Sequence, residues 1–241
     1  MTRLLALDSS TEQLAVAVAA DDVHWTRAVD GGAQASARML PLALEGLAAC
    51  GLGVPQLDAV AFGSGPGAFT GLRCACAVAQ GLAFGARIPV VAVDSLMLVA
   101  EDARVALPLV DGVTLWVAMD ARMDEVYAAS YRHDGTRWQV IDAPALYTLD
   151  ALAARWRAQA PPVVVGSAVQ AFSARLPFGA ALTQATVLDR AGALLRLALQ
   201  RHADGATVDA AHAMPLYLRD KVALTTAERN AARATPDASR G

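Results

Sequence analysis

Gly63-Ser64-Gly65-Pro66-Gly67-Ala68-Phe69-Thr70-Gly71-Leu72-Arg73 follows the apolar run Ala59 to Phe62 and leads into a segment, from about Thr70 to Ala86, with apolar residues at helical spacing. A buried strand, a glycine-rich turn and a helix in that order form one unit of an α/β fold. Backbone N–H groups at such a turn, with Thr70 as helix cap, can meet an anion at a helix N-terminus. A tight turn that lets the helix pack closely on its sheet explains the same glycines equally well. A Walker loop is excluded, because Lys221 is the only lysine in the chain. Gly65, Gly67 and Gly71 also have the wrong final spacing for a dinucleotide fingerprint.

Upstream of this turn, Leu4 to Asp8, Leu14 to Ala20 and Val23 to Val29 read as three short strands, with turns at Ser9-Ser10-Thr11-Glu12 and Asp21-Asp22. Ser36 looks like an N-cap for a helix whose apolar periodicity runs from Met39 to Cys50, with Gly51 as its stop. Downstream come a strand, Ile88 to Val93, and a helix from about Ser95 to Arg104, giving βββαβα. The pattern then restarts: Thr114 to Met119, Glu125 to Arg132 and Arg137 to Ile141, the last two joined at Asp134-Gly135, which is a hairpin signal. A helix from Leu149 to Gln159, a strand Val163 to Val165, and helices near Val169 to Leu176 and Leu188 to His202 follow. The expectation is a duplicated α/β fold, with one half in residues 1–106, a second in 107–220 and a flexible tail in 221–241.

Composition agrees with a packed globule. Of 241 residues, 55% are apolar and 18% charged, with a mean hydropathy of +0.37, which excludes a disordered chain. Aromatics make up only 5% and the net charge is -3, so neither base-stacking platforms nor a field that draws in phosphate backbones is expected. Three cysteines, with Cys74 and Cys76 on different faces of a helix, fit neither a disulfide framework nor a metal knuckle. No signal peptide or membrane span is expected, and a cytoplasmic location follows. His24, His133, His202 and His212 are scattered, and Ser64 lacks the Gly-x-Ser-x-Gly elbow, so no catalytic residue and no metal ligand is assigned.

Two further features carry alternatives. Asp8-Ser9-Ser10 ends the first strand, where the Asp could hold a hydrated metal and the hydroxyls a phosphate, or the side chains could simply bond their own backbone. The helices from Met39 and from Thr70 each carry two apolar stripes, although a helix on one side of a sheet needs one. Leu40, Leu44 and Leu47 are expected to face the sheet, as are Leu72, Cys76, Ala79 and Leu82. Either each helix is sandwiched within its own domain, or Met39, Leu42, Ala43 and Gly46, with Ala77 and Gly81 on the second helix, are left for a partner's helices.

Several of these residues resemble the bacterial TsaB family, also called YeaZ, of the tRNA threonylcarbamoyladenosine pathway. The likeness rests on Leu5-Ala6-Leu7-Asp8-Ser9-Ser10-Thr11, Ser36-Ala37-Arg38-Met39-Leu40-Pro41 and above all Gly65-Pro66-Gly67-Ala68-Phe69-Thr70-Gly71-Leu72-Arg73 with Ala79-Gln80-Gly81-Leu82-Ala83. It continues at Asp94-Ser95-Leu96, Asp120-Ala121-Arg122 with Glu125-Val126-Tyr127, and Pro215-Leu216-Tyr217-Leu218-Arg219. It departs at Ala37, often Glu in the family, and at Met123-Asp124, often a basic residue and Gly.

The resemblance implies two ribonuclease-H-like βββαβα halves of the actin-like, Hsp70-like ATPase superfamily. It also implies a non-catalytic paralogue of TsaD, whose metal-binding histidines stand on the helix that here begins near Ser36 and has none. The implied role is a scaffold that heterodimerises with TsaD and recruits the ATPase TsaE. Such a chain would self-associate when alone, meet tRNA only through the complex and need no obligatory cofactor. ATP or ADP is expected at the interface with TsaD and TsaE, with Asp8, Ser9, Ser10, Gly65 and Gly67 as weak phosphate contacts. The alternative is a phosphotransferase or ATPase acting through Asp8 and the glycine turn, and a glycoprotease is the least supported reading.

Overall fold

A computed structural model describes residues 2–219. The first half runs β1 (Arg3–Asp8), β2 (Gln13–Ala20), β3 (Val23–Asp30), α1 (Ala35–Ala49), β4 (Ala59–Gly65), α2 (Phe69–Ala86), β5 (Val90–Asp94) and α3 (Ser95–Ala106). The second repeats it as β6 (Thr114–Asp120), β7 (Glu125–His133), β8 (Trp138–Thr148), α4 (Leu149–Ala158), β9 (Val163–Val165), α5 (Ala168–Ala171), β10 (Leu182–Gln184) and α6 (Arg190–Ala203). The sheet orders are β3-β2-β1-β4-β5 and β8-β7-β6-β9-β10, which are the same order in repeat numbering. In each, the first three strands are antiparallel and the last two join in parallel.

Strand alternation builds two cores on each sheet. In the first, Leu5, Leu7, Val16, Val18, Val60 and Phe62 face α1 and α2, while Leu4, Ala6, Ala17, Ala19 and Ala61 face α6. In the second, Trp116, Ala118, Val126 and Val164 meet Leu152 and Trp156 of α4, while Leu115, Val117 and Tyr131 meet Leu96, Val99 and Ala103 of α3. The last helix of each half therefore packs on the other half's sheet, and α3 and α6 touch in the middle. The division expected at residue 106 separates the sheets but not the helices, and α6, with Ala210 and Ala213 after it, returns to the first lobe.

Several expected boundaries shift. Ser36 is not the cap of α1; the capping position is Gln34, without a side-chain bond. Ala68 rather than Thr70 precedes α2, and α5 is one turn instead of reaching Leu176. β10 gives no sequence signal, because Leu182-Thr183-Gln184 is short and largely exposed. The tail expected at 221–241 lies outside the described residues. Among the described residues no helix is long and apolar enough to cross a membrane.

Candidate functional site

β1 and β4 are adjacent and parallel, so the end of β1 brings Asp8 against the glycine turn that follows β4. Asp8 has no exposed surface, and its Oδ2 accepts a hydrogen bond from Arg190 Nε at 2.7 Å. Arg190, on the first turn of α6, is 3% exposed and also donates through Nη2 to Ser10 Oγ at 2.6 Å. Ser10 Oγ in turn lies 3.3 Å from Asp8 Oδ2. The Ser9 hydroxyl donates to the Gly71 carbonyl at 2.8 Å, and a side-chain carbon at Gly71 would stand 1.7 Å from the Ser9 carbonyl oxygen. The Gly65 N–H donates to Ser95 Oγ at 3.0 Å, and the Ala68 N–H to the Ser10 carbonyl at 2.8 Å.

These contacts correct the expected phosphate site. Asp8, Ser9 and Gly65 are buried and bonded within the chain, so they offer no open cradle. The glycines serve close approach of turn to strand. Ser10 and Gly67 alone of the five line the neighbouring cleft.

That cleft, about 570 Å³, lies between the lobes. Its polar lining includes Thr11, Asp120, Tyr127 and Ser167; Phe69, Leu72, Leu96 and Met119 are among its apolar walls. The segment Leu216 to Arg219 runs along it, with the Leu216 N–H bonded to the Ser64 carbonyl at 2.7 Å. Tyr217 stacks obliquely on Phe69 with centroids 5.3 Å apart, and Arg73 lies 4.0 Å above the Phe69 ring while donating to Tyr217 Oη at 3.1 Å. Arg219 pairs with Glu125. Across the mouth, Arg122 of the second lobe comes within 3.5 Å of Glu12 of the first. Arg122, Met123 and Asp124 have successive φ values of 64°, 58° and 59°, a left-handed run costing about 1 kcal/mol per residue. The β6–β7 turn is thus strained, and Arg122 of it lines the cleft. Sequence reasoning did not single out Arg190, Tyr217 or Glu125 for a site, since each finds its partners 94 to 182 residues away.

Between the lobes, α3 anchors the return of the chain. Glu101 accepts from Arg104 twice at 2.9 Å, from Trp138 Nε1 at 3.0 Å and from Arg196 Nε at 2.7 Å. Burial opposes ionisation of Glu101, yet these donors outweigh it and hold its carboxyl below the usual glutamate range. Asp94 behaves oppositely: burial raises it despite the 2.6 Å bond from Tyr131 Oη, and the same burial, with the neighbouring carboxylate, raises the tyrosine. Asp102 accepts the N–H groups of Leu188 and Asp189 at 2.9 and 2.6 Å, fixing the entry to α6.

The helix face needs a second correction. Met39, Leu42, Ala43 and Gly46 point into the core of the first lobe and are not free for a partner. Gly46 is required there, since a side-chain carbon would lie 2.6 Å from Trp25 Cε3 on β3. The solvent side of α1 instead carries Leu40 (40% exposed) and Leu44 (48%). On α2, Ala77 and Gly81 do face outward, beside Phe84, which is 74% exposed. The two helices pack side by side, Met39 Sδ lying 3.9 Å from Cys74 Sγ.

Two repeats with one strand order, crossed terminal helices and a cleft between lobes define a duplicated α/β protein of the actin-like class. A family model described as TsaD, tRNA N6-adenosine threonylcarbamoyltransferase, matches residues 32–227. The tRNA threonylcarbamoyladenosine biosynthesis protein TsaB of Escherichia coli is 34% identical over 235 residues, covering 92% of this chain and 96% of that protein. The chain belongs to the TsaB/YeaZ family. YeaZ from Pseudomonas aeruginosa superposes with a TM-score of 0.79 at 34% identity, over 90% of this chain and 100% of that one. A second Pseudomonas aeruginosa structure, of an uncharacterized protein with similarity to peptidase YEAZ, gives 0.82 at 35% identity over 91% and 100%.

Proposed function

We propose that this chain is a non-catalytic subunit in the formation of threonylcarbamoyladenosine on tRNA, binding TsaD through the solvent side of α1 and α2 and helping to recruit TsaE. The observation that carries the reading is the apolar outer side of these two helices. Leu40, Leu44 and Phe84 are large and exposed, and Ala77 and Gly81 leave room for a second backbone to approach. Burying one such apolar side chain is worth about 1.5 to 3 kcal/mol, so a few of them suffice for a specific complex. In the absence of TsaD the same face pairs two copies of the chain.

A supporting role rather than transfer chemistry fits α1, which has no histidine between Ala35 and Ala49. Adenine nucleotide, ATP or ADP, binds at the joint face with TsaD and TsaE and only weakly to the chain alone, since Asp8 and the N–H groups of Gly65 and Ala68 are already engaged. Contact with tRNA is indirect, in keeping with a net charge of -3. Size-exclusion chromatography with light scattering tests the reading. A one-to-one complex with TsaD, enlarged by TsaE, is expected; a chain that stays apart from TsaD, or that hydrolyses ATP by itself at enzyme-like rates, overturns it.

A further inference from the structure

An aspartate at the end of the first strand, beside a glycine turn and a hydroxyl, is the arrangement that would hold a hydrated divalent cation for a bound phosphate. The residues present do not fit that group. We infer that the Arg190 guanidinium is a resident cation filling the slot that a metal ion would need at Asp8, so that Asp8 is closed to metal-assisted nucleotide binding and α6 is tied to β1. This inference is independent of the partner reading.

Three observations carry it. Arg190 and Asp8 are almost wholly buried, and their bond of 2.7 Å joins parts of the chain 182 residues apart. Arg190 also takes up Ser10 Oγ, the hydroxyl of this cluster that borders the cleft, at 2.6 Å. The other carboxylate oxygen, Asp8 Oδ1, is buried without a hydrogen-bond partner, and it faces Gly63 so closely that a side-chain carbon there would lie 1.8 Å away. The Gly63 backbone thus lies against that oxygen, and Arg190 occupies the Oδ2 side. A single guanidinium thus supplies the positive charge that ionised Asp8 requires in a buried setting and keeps the strand end and the last helix in register. Because the charge is covalently tethered, it cannot be diluted away or exchanged, unlike a dissociable ion.

Removing the tether should reopen the slot. The Arg190→Ala variant of the full chain should melt about 10 °C below wild type, as expected for a buried carboxylate that loses its partner. Millimolar Mn²⁺, followed by water-proton relaxation and by the melting temperature, should bind this variant at least tenfold more tightly than wild type and restore part of its stability. Asp8→Asn combined with Arg190→Met should fold and show no response to Mn²⁺. An Arg190→Ala protein that folds yet binds Mn²⁺ no better than wild type would overturn the inference. Should that variant not fold, the wild-type protein decides: ADP affinity equal in Mg²⁺ and in EDTA supports the inference, whereas tenfold tighter binding in Mg²⁺ contradicts it.

Discussion

In the first half β4 leads through the glycine turn into α2, a helix of 18 residues, whereas at the same place in the second half β9 leads into α5, of 4 residues. The preceding helices differ in chemistry as well as length. α1 shows Leu40, Pro41 and Leu44 to solvent, while α4 shows Asp150, Arg155 and Arg157 and keeps Leu152 and Trp156 inside. The strands that carry the hydrogen-bond order are the same in both repeats, because one sheet order serves both. The helices above them are free to diverge, since an outer face contributes little to its own core. One repeat shows Leu40 and Leu44 on its outer helix face and the other shows Asp150, Arg155 and Arg157, and the proposed partner side on the first lobe rests on this difference.

The sharpest way to break that comparison is at Gly46. Gly46→Glu should abolish cooperative unfolding, because it drives a charged chain into Trp25 and Val18 rather than toward a partner. A Gly46→Glu protein that melts like wild type would place α1 the other way round. A smaller effect is expected where the halves are tied together. Glu101→Gln should cost about 2 kcal/mol at neutral pH through weakened charge-assisted bonds to Arg104 and Arg196. The folded carboxyl lies below its ordinary value of 4.5, so its contribution is present above that pH and fades as the pH falls through the folded value. The stability gap between wild type and variant, measured by urea titration, should therefore narrow on acidification; a gap that widens would contradict the assignment. The smallest effect belongs to Gly81, where a side-chain carbon meets nothing within 4 Å. Gly81→Ala should raise stability by about 0.5 to 1 kcal/mol through helix propensity, as thermal melts would register.

The repeat was legible in the sequence because strands and helices carry their periods locally. The hairpin at Asp134-Gly135 and the run through Gly71 marked their elements for the same reason. The side of α1 was not legible, since Leu40 and Leu44 form as good a stripe as Met39 and Ala43, and the choice is made by Trp25, whose ring needs the bare backbone of Gly46. The α2 side was readable, as Leu72, Cys76 and Ala79 pack inward and Ala77 and Gly81 outward. Asp8 was noticed, but its partner was not, because nothing near Arg190 announces a contact 182 residues away. Long-range pairing also explains the exchange of α3 and α6 between sheets, for neither helix's own pattern says which sheet it covers.

The proposed interface sets the outer side of α1 and α2, in the first lobe, against TsaD. Isothermal titration of TsaD with Leu44→Glu, alongside Arg155→Glu on α4 as the matched change in the other repeat, tests it most directly. Leu44→Glu should melt like wild type and bind TsaD at least tenfold more weakly, with Arg155→Glu binding unchanged. Unchanged affinity for a folded Leu44→Glu protein, or a loss confined to Arg155→Glu, would contradict the account.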